Sequence, residues 1–300
     1  MASAKESLLA FMAASGKSQR QIAREIGISS AQVNLFLSGK YEGDSDSTAD
    51  KILQYLAVAK KRLNTDKTVV FYPELHNTKE ALFTCSYAHR NNEIALLCGD
   101  AGAGKTEALT YYRDNNPGVI LVTANACIQS ATAILQLICA ELGKQAPYRR
   151  NAIMNLLVAQ LAGTNRLIIV DEADHLSLQA IQALRSLNDQ AHVGVVLSGN
   201  NKIYLQMYSP RRGYEFDQIR TRIIARKKVV NDYTAEEIHG VFPGLGDAET
   251  GYLLKLANRE SLRTAIKIYR IASDAARSAK IPLNVALLKR TQLEFLGNQV

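Results

Sequence analysis

Cysteine is scarce and unpaired in this sequence. The four, Cys85, Cys98, Cys127 and Cys139, form no C-x-x-C pair, and no histidine cluster accompanies them. That spacing excludes a zinc framework, and the four read as small buried hydrophobes of a reducing compartment. Long apolar runs are missing as well. No stretch approaches the roughly 20 apolar residues of a membrane span. The N-terminal stretch MASAKESLLAFMAASGKSQR lacks the apolar region of a signal peptide. The expectation is a cytoplasmic protein with no membrane partner. There is no internal repeat and no low-complexity segment. Acidic residues are outnumbered, 28 against 36 basic ones, for a net charge of +8. Such an excess suits a polyanionic partner such as nucleic acid, although a basic surface kept for solubility gives the same balance.

Against these absences stands a hydrophobic content of 47% in 300 residues, enough for two or three packed units. Residues 1–63 carry apolar residues at helical spacing (Leu8, Leu9, Met12; Ile22, Ala23, Ile26; Val33, Phe36, Leu37) and end in a helix around Ala49–Lys61. Residues 64–77, with Pro73 and little periodicity, read as a linker. From 78 to 230, short apolar strands at Ile94–Cys98, Val119–Thr123, Leu167–Val170, Val193–Leu197 and Lys228–Val230 alternate with helices. That pattern predicts a parallel sheet covered on both faces. Residues 231–300 read as helices only. The expected fold is α/β, a parallel-sheet sandwich with a helical lid, preceded by an all-α module.

The sharpest motif follows the first of those strands. Gly99, Asp100, Ala101, Gly102, Ala103, Gly104, Lys105 and Thr106, with Glu107 after them, complete G-x-x-x-x-G-K-[ST] between a strand and a helix. Glycines let the backbone wrap phosphates, whose charge is drawn to exposed N–H groups and a helix N-terminus. Lys105 is expected to reach the β- and γ-phosphates of ATP, and Thr106 to bind Mg²⁺. The run Leu167–Val170 leads into Asp171 and Glu172, at the strand end where open α/β sheets bind ligands. Asp171 is the second expected Mg²⁺ residue. Glu172 is positioned to polarise an attacking water, which favours a hydrolase over a kinase. Asp174 reads as a cap for the helix near Leu178, and for both Asp174 and His175 a surface role and a functional one stay open. The Asp-Glu-Ala-Asp spelling also occurs in RNA helicases, but too few residues follow it here for a second RecA-like domain.

These motifs resemble those of AAA+ ATPases. The resemblance implies a sensor 1 at Asn200, after the next strand, and a sensor 2 at Arg263, near a helix start in the lid. It also implies an arginine finger in Thr221-Arg222-Ile223, with Arg222 the first choice and Arg226 the second. Ordinary surface roles compete for each. The basic residues Lys144, Arg149, Arg150, Arg211 and Arg212 are candidates for holding a DNA backbone.

In the first module, Gln19 to Phe36 resembles the repressor-type helix-turn-helix. Ala23 is small where helices cross, Gly27 allows the turn, and Ser29 suits an N-cap. Ser30, Gln32 and Asn34 then face a DNA groove. No arginine joins them, so weak sequence preference is expected. A helical interaction module without DNA contact is the competing reading.

The whole layout, from helix-turn-helix through CGDAGAGKTE and IVDEADHL to a helical lid, resembles the Mu B-type transposition proteins. That resemblance implies double-stranded DNA and a cognate transposase as partners. It further implies self-association into ATP-dependent helical oligomers, and hydrolysis stimulated by DNA and transposase. A replicative helicase loader and a nucleotide-regulated transcription factor are the alternatives.

Overall fold

A computed structural model describes residues 2–39, 44–66, 69–208 and 216–297. The chain divides into two compact units. The N-terminal one opens with α1 (Ala2–Ser15), α2 (Gln19–Ile26), α3 (Ser30–Ser38) and α4 (Ser45–Asp66). Both short helices begin at a serine that accepts the N–H of a glutamine three residues on, while the glutamine side chain returns to the serine N–H. Such reciprocal capping satisfies two orphan donors per helix. Gly27, at φ 80°, ends α2 in the left-handed region that favours glycine, as the turn requires. Leu8, Phe11, Ile22, Ala23, Val33, Phe36, Ile52 and Leu56 form the core of this unit. α4 continues to Asp66, past the expected boundary at 63.

The second unit contains α5 (His76–Asn91), β1 (Ile94–Gly99), α6 (Lys105–Asn115), β2 (Val119–Thr123), α7 (Ala131–Glu141) and α8 (Arg150–Leu161). Next come β3 (Leu167–Asp171), a 3-10 turn (Ala173–His175), α9 (Leu178–Ala191), β4 (Gly194–Gly199), α10 (Asn201–Tyr208), α11 (Asp217–Arg220) and β5 (Ile223–Val229). The five strands are all parallel, in the order β2-β3-β4-β1-β5. Alternate residues of β1 serve opposite layers. Ile94, Leu96 and Cys98 pack among side chains of α7 to α11, and Ala95 and Leu97 among those of α5 and α6. Two-sided burial is what makes these strands read as continuous apolar runs. Then follow α12 (Ala235–Val241), α13 (Asp247–Arg259), α14 (Leu262–Ala279) and α15 (Val285–Leu296).

Two expectations need correction. β5 begins at Ile223, five residues before the expected Lys228. As an edge strand it buries only Ile223 and Val229 fully, and Arg226 and Lys228 face solvent. Charged residues protect an exposed edge from pairing with other chains, and here they hid the strand. Cys127 is exposed, whereas the other three cysteines are buried as expected.

Asn188, on α9, braces the entry to the central strands. Its buried amide donates to Asn92 O at 2.8 Å and Val193 O at 2.7 Å, just before β1 and β4. Asn188→Ala leaves both carbonyls without that donor. The expected loss is about 1–3 kcal/mol, read as a lower denaturant midpoint of the α/β unit.

Candidate functional site

The site is assembled at the C-terminal ends of β1, β3, β4 and β5. Gly99 leaves β1 at φ 149°, where a Cβ would stand 1.9 Å from Val229 O on β5. Only glycine fits a backbone approach that close, and Asp100 N then donates to the same carbonyl at 3.0 Å. The loop runs to Gly104, the N-cap of α6, so its amides lie at a helix N-terminus. Lys105 folds back over this loop, its Nζ donating to Gly99 O at 3.0 Å and Asp100 O at 2.8 Å. Burial pulls its pKa below the ordinary lysine value, opposed by the charges of Asp171, Glu172 and Asp100. Ala103, part of the expected loop set, turns into the core, whereas Ala101 and Glu107 are exposed.

Asp171 ends β3 and is 2% exposed. Its Oδ2 accepts Thr106 Oγ1 at 2.6 Å, and its Oδ1 accepts Ser198 Oγ at 2.9 Å and Glu172 N at 3.0 Å. The two residues expected at Mg²⁺ therefore meet directly. A hydroxyl and a carboxylate are hard oxygen donors suited to Mg²⁺, which usually takes one or two such groups beside phosphate and water. Glu172 stands beside them at φ 53°, a left-handed conformation that side chains seldom adopt and that clusters at functional sites.

Asp174 does not cap α9. Ser177 does, accepting Ala180 N at 3.2 Å. Asp174 is instead 5% exposed and accepts both Asn200 N at 3.1 Å and Asn200 Nδ2 at 2.7 Å. Sequence reading missed this pair, and it missed the asparagines around Asp100. The Asp100 carboxylate accepts Asn201 Nδ2 at 3.2 Å and Asn231 N at 3.1 Å, and Asn231 Nδ2 donates to Ala101 O at 3.1 Å. These bonds tie the loops after β1, β4 and β5 together. They border a cleft of about 480 Å³ that Asn200, Lys202 and Arg259 also line.

The start of α14 meets the loop itself. Arg263 N donates to Gly102 O at 3.2 Å. A Cβ on Gly102 would lie 2.8 Å from Ser261 Cβ and 3.1 Å from Arg263 Cβ, at φ 74°. Arg263 is thus beside the P-loop.

Arg222 is elsewhere. It precedes β5, at the end of the sheet opposite the loop, 55% exposed and paired with Asp189 on α9 at 3.3 Å. Arg226, the second choice, lies within β5 with its guanidinium 5.0 Å from the centre of the Tyr208 ring. Lys144, Arg149 and Arg150 are exposed around the α7–α8 connection, and Arg211 and Arg212 lie outside the described residues. On α3, Ser30 and Asn34 are exposed, while the Gln32 Oε1 is committed to the cap of its own helix.

A nucleotide-type loop, a strand end with a buried Asp171 followed by Glu172, and a helical lid on a parallel sheet define an AAA+-type domain. In this chain it is joined to a helix-turn-helix. The AAA domain model matches residues 88–207, and the Cro/C1-type HTH DNA-binding domain model matches residues 7–59. Over 281 residues the chain is 29% identical to the ATP-dependent target DNA activator B of Escherichia phage Mu, covering 92% of this chain and 89% of that protein. It is 33% identical over 190 residues to the Mu-like prophage FluMu DNA transposition protein B of Haemophilus influenzae, covering 63% of this chain and 66% of that one. Along most of its length the chain is therefore similar to the Mu-type B transposition proteins, the resemblance its motifs carry. Cdc6p from Pyrobaculum aerophilum shares the fold, with a TM-score of 0.54 at 18% identity, covering 72% of this chain and 65% of that one.

Gly102→Ala forces a methyl group between the loop and α14 in a strained backbone. A loss of about 1–3 kcal/mol is expected from such overpacking, with weaker nucleotide binding. Thermal midpoints with and without an ATP analogue check it, the expected result being a smaller ligand-induced rise than in wild type.

Proposed function

We propose that this protein is a Mg²⁺-dependent ATPase that binds duplex DNA with weak sequence preference and marks it as target for a transposase. The observation that carries the proposal is the meeting of Lys105, Thr106, Asp171 and Glu172 at one strand end in a chain that also holds a helix-turn-helix. The names of the phage and prophage relatives, ATP-dependent target DNA activator and DNA transposition protein, support it. On this proposal the chain works in the cytoplasm, and no helix among the described residues is long and apolar enough to cross a membrane.

In the proposed reaction Lys105 releases the carbonyls of Gly99 and Asp100 and turns its charge to the β- and γ-phosphates. Thr106 and Asp171 would hold Mg²⁺, and its charge would offset the negative charge of the phosphates. Glu172 orients the attacking water and draws on its proton. Arg263 closes the lid side. The Asn200 amide faces the γ-phosphate end as sensor 1. ATP-bound copies assemble as helical filaments along DNA, gripped by Ser30, Asn34 and Gln32 on α3 and by Lys144, Arg149 and Arg150, with Arg211 and Arg212. Transposase then joins the filament and stimulates hydrolysis.

Glu172→Gln keeps the shape of the side chain but removes the charge that polarises water. ATP binding is expected to persist, turnover to fall by about 10²-fold or more, and the variant to stay on DNA longer than wild type. Turnover and DNA dissociation in ATP are the measurements. Faster dissociation would contradict the assignment.

Arg222 is proposed to complete the site of a neighbouring copy. Neither Arg222→Ala nor Lys105→Ala protein alone should hydrolyse ATP. Mixed together, some interfaces join an intact loop to an intact Arg222, and ATPase activity is expected to return. Background activity in mixtures shown to co-assemble removes Arg222 from the site. Restoration with Arg226→Ala in its place, but not with Arg222→Ala, moves the role four residues downstream, to Arg226.

A further inference from the structure

Among the polar groups of Asn200, the protein itself occupies specific positions. The main-chain N–H and one hydrogen of Nδ2 go to the two oxygens of Asp174, at 3.1 and 2.7 Å. The Oδ1 accepts Lys202 N at 2.7 Å. Both partners are chemically one-sided, because a carboxylate only accepts and a main-chain N–H only donates. Turning the amide over would set oxygen against carboxylate and NH₂ against N–H. Its orientation is therefore fixed, and among the described residues no protein acceptor takes the second N–H of Nδ2, which leaves it for a ligand. Asp174 is itself held closely, since a Cβ on the neighbouring Gly199 would stand 2.7 Å from its Oδ1. Asn200 lines the cleft beside Gly99 and Asp100 of the loop.

We propose that Asp174 is a positioning residue that fixes Asn200 as a hydrogen-bond donor to the γ-phosphate, so that the site tells ATP from ADP. The proposal rests on the ATPase reading and adds to it the residue that sets the sensor. An anionic phosphate oxygen can be met by an N–H but not by a carbonyl. Asp174 touches no nucleotide. It acts through Asn200, by accepting from the amide and the main chain together.

A pairwise exchange separates this role from a merely structural one. Asp174→Asn alone sets an NH₂ against one of two donors and removes a bond. Asp174→Asn combined with Asn200→Asp restores the count. The amide now at position 174 accepts from the main chain and donates to the carboxylate at position 200, which still accepts Lys202 N. That carboxylate, however, offers oxygen where an N–H stood.

The experiment measures dissociation constants for a slowly hydrolysed ATP analogue and for ADP, both with Mg²⁺, together with thermal midpoints. Wild type is expected to prefer the ATP analogue. Asp174→Asn should lose on the order of tenfold of that preference, with ADP affinity kept. The double variant should recover the thermal midpoint and keep ADP affinity without regaining the preference. If the single variant keeps the wild-type preference, or the double variant regains it, Asp174 only holds the loop and the proposal is overturned. If the single variant does not fold, the double variant decides alone. A wild type that binds both nucleotides equally overturns this proposal only, whereas one that binds neither removes the ATPase reading beneath it.

Discussion

The α/β unit depends on one buried carboxylate. Asp171 carries its charge at the end of β3, almost out of reach of water. Burying an ionised group costs heavily unless donors surround it. Three do so: the Thr106 hydroxyl from α6, the Ser198 hydroxyl from β4 and the Glu172 N–H from its own chain. Each donor comes from a different place in the chain, so satisfying one charge ties the start of α6 to the ends of β3 and β4. The same requirement sets the chemistry. On the proposed reading, this carboxylate facing a hydroxyl beside the loop would take a divalent cation, with Glu172 next to it.

Around that centre the loop is held from several sides by backbone and amide groups rather than by ion pairs. Gly99 lies against Val229, Asp100 accepts from the Asn201 side chain and the Asn231 main chain, and Gly102 accepts from Arg263 N. Asn231 belongs to a longer chain of contacts. Its side chain accepts Tyr233 Oη at 3.3 Å, and Tyr233 exchanges main-chain bonds with the Asn258 amide at the end of α13. Burial pushes the Tyr233 phenol up to about 12, so it remains a neutral partner in that chain near neutral pH. The loop and the helical lid are therefore joined through hydrogen bonds that salt screens little. A change in the loop has a direct route to the lid.

The parts legible in the sequence were those where several neighbours in sequence act together. The loop from Gly99 to Thr106 is contiguous, because one turn must supply all its amides. The strand into Asp171 is contiguous too, because both its faces are buried. Ser29 and Gly27 were legible because helix ends are local. What stayed hidden was either one-sided or dispersed. β5 buries only its two end residues, Ile223 and Val229, and carries Arg226, Lys227 and Lys228 between them, so no apolar run marked it. Asp174 and Asn200 are 26 positions apart, and Asp100 and Asn231 are 131 apart. Nothing in either neighbourhood announces its partner, and asparagines after strands read as ordinary turns. Asp174 beside a helix start looked like a cap because the shape of the 3-10 turn, which points it toward β4, is not written in its own sequence.

The position of Arg222 has a consequence for assembly. Parallel strands place all their C-terminal ends, and with them the loop, Asp171 and Asn200, on one edge of the sheet. Arg222 precedes β5 and is on the other edge. The seven residues of β5 span about 20 Å at the usual rise. Side chains cannot cross that distance within one copy, so any meeting of Arg222 with a nucleotide needs a second chain. Its present partner, Asp189, holds it through an ion pair whose arginine is exposed and whose carboxylate is half-buried, and pairs near the surface contribute little to stability. An arginine held this lightly on a surface can exchange Asp189 for a phosphate of a neighbouring copy at small cost. Under the proposed reading, hydrolysis is then confined to assembled protein, because the two edges of one sheet serve two different sites.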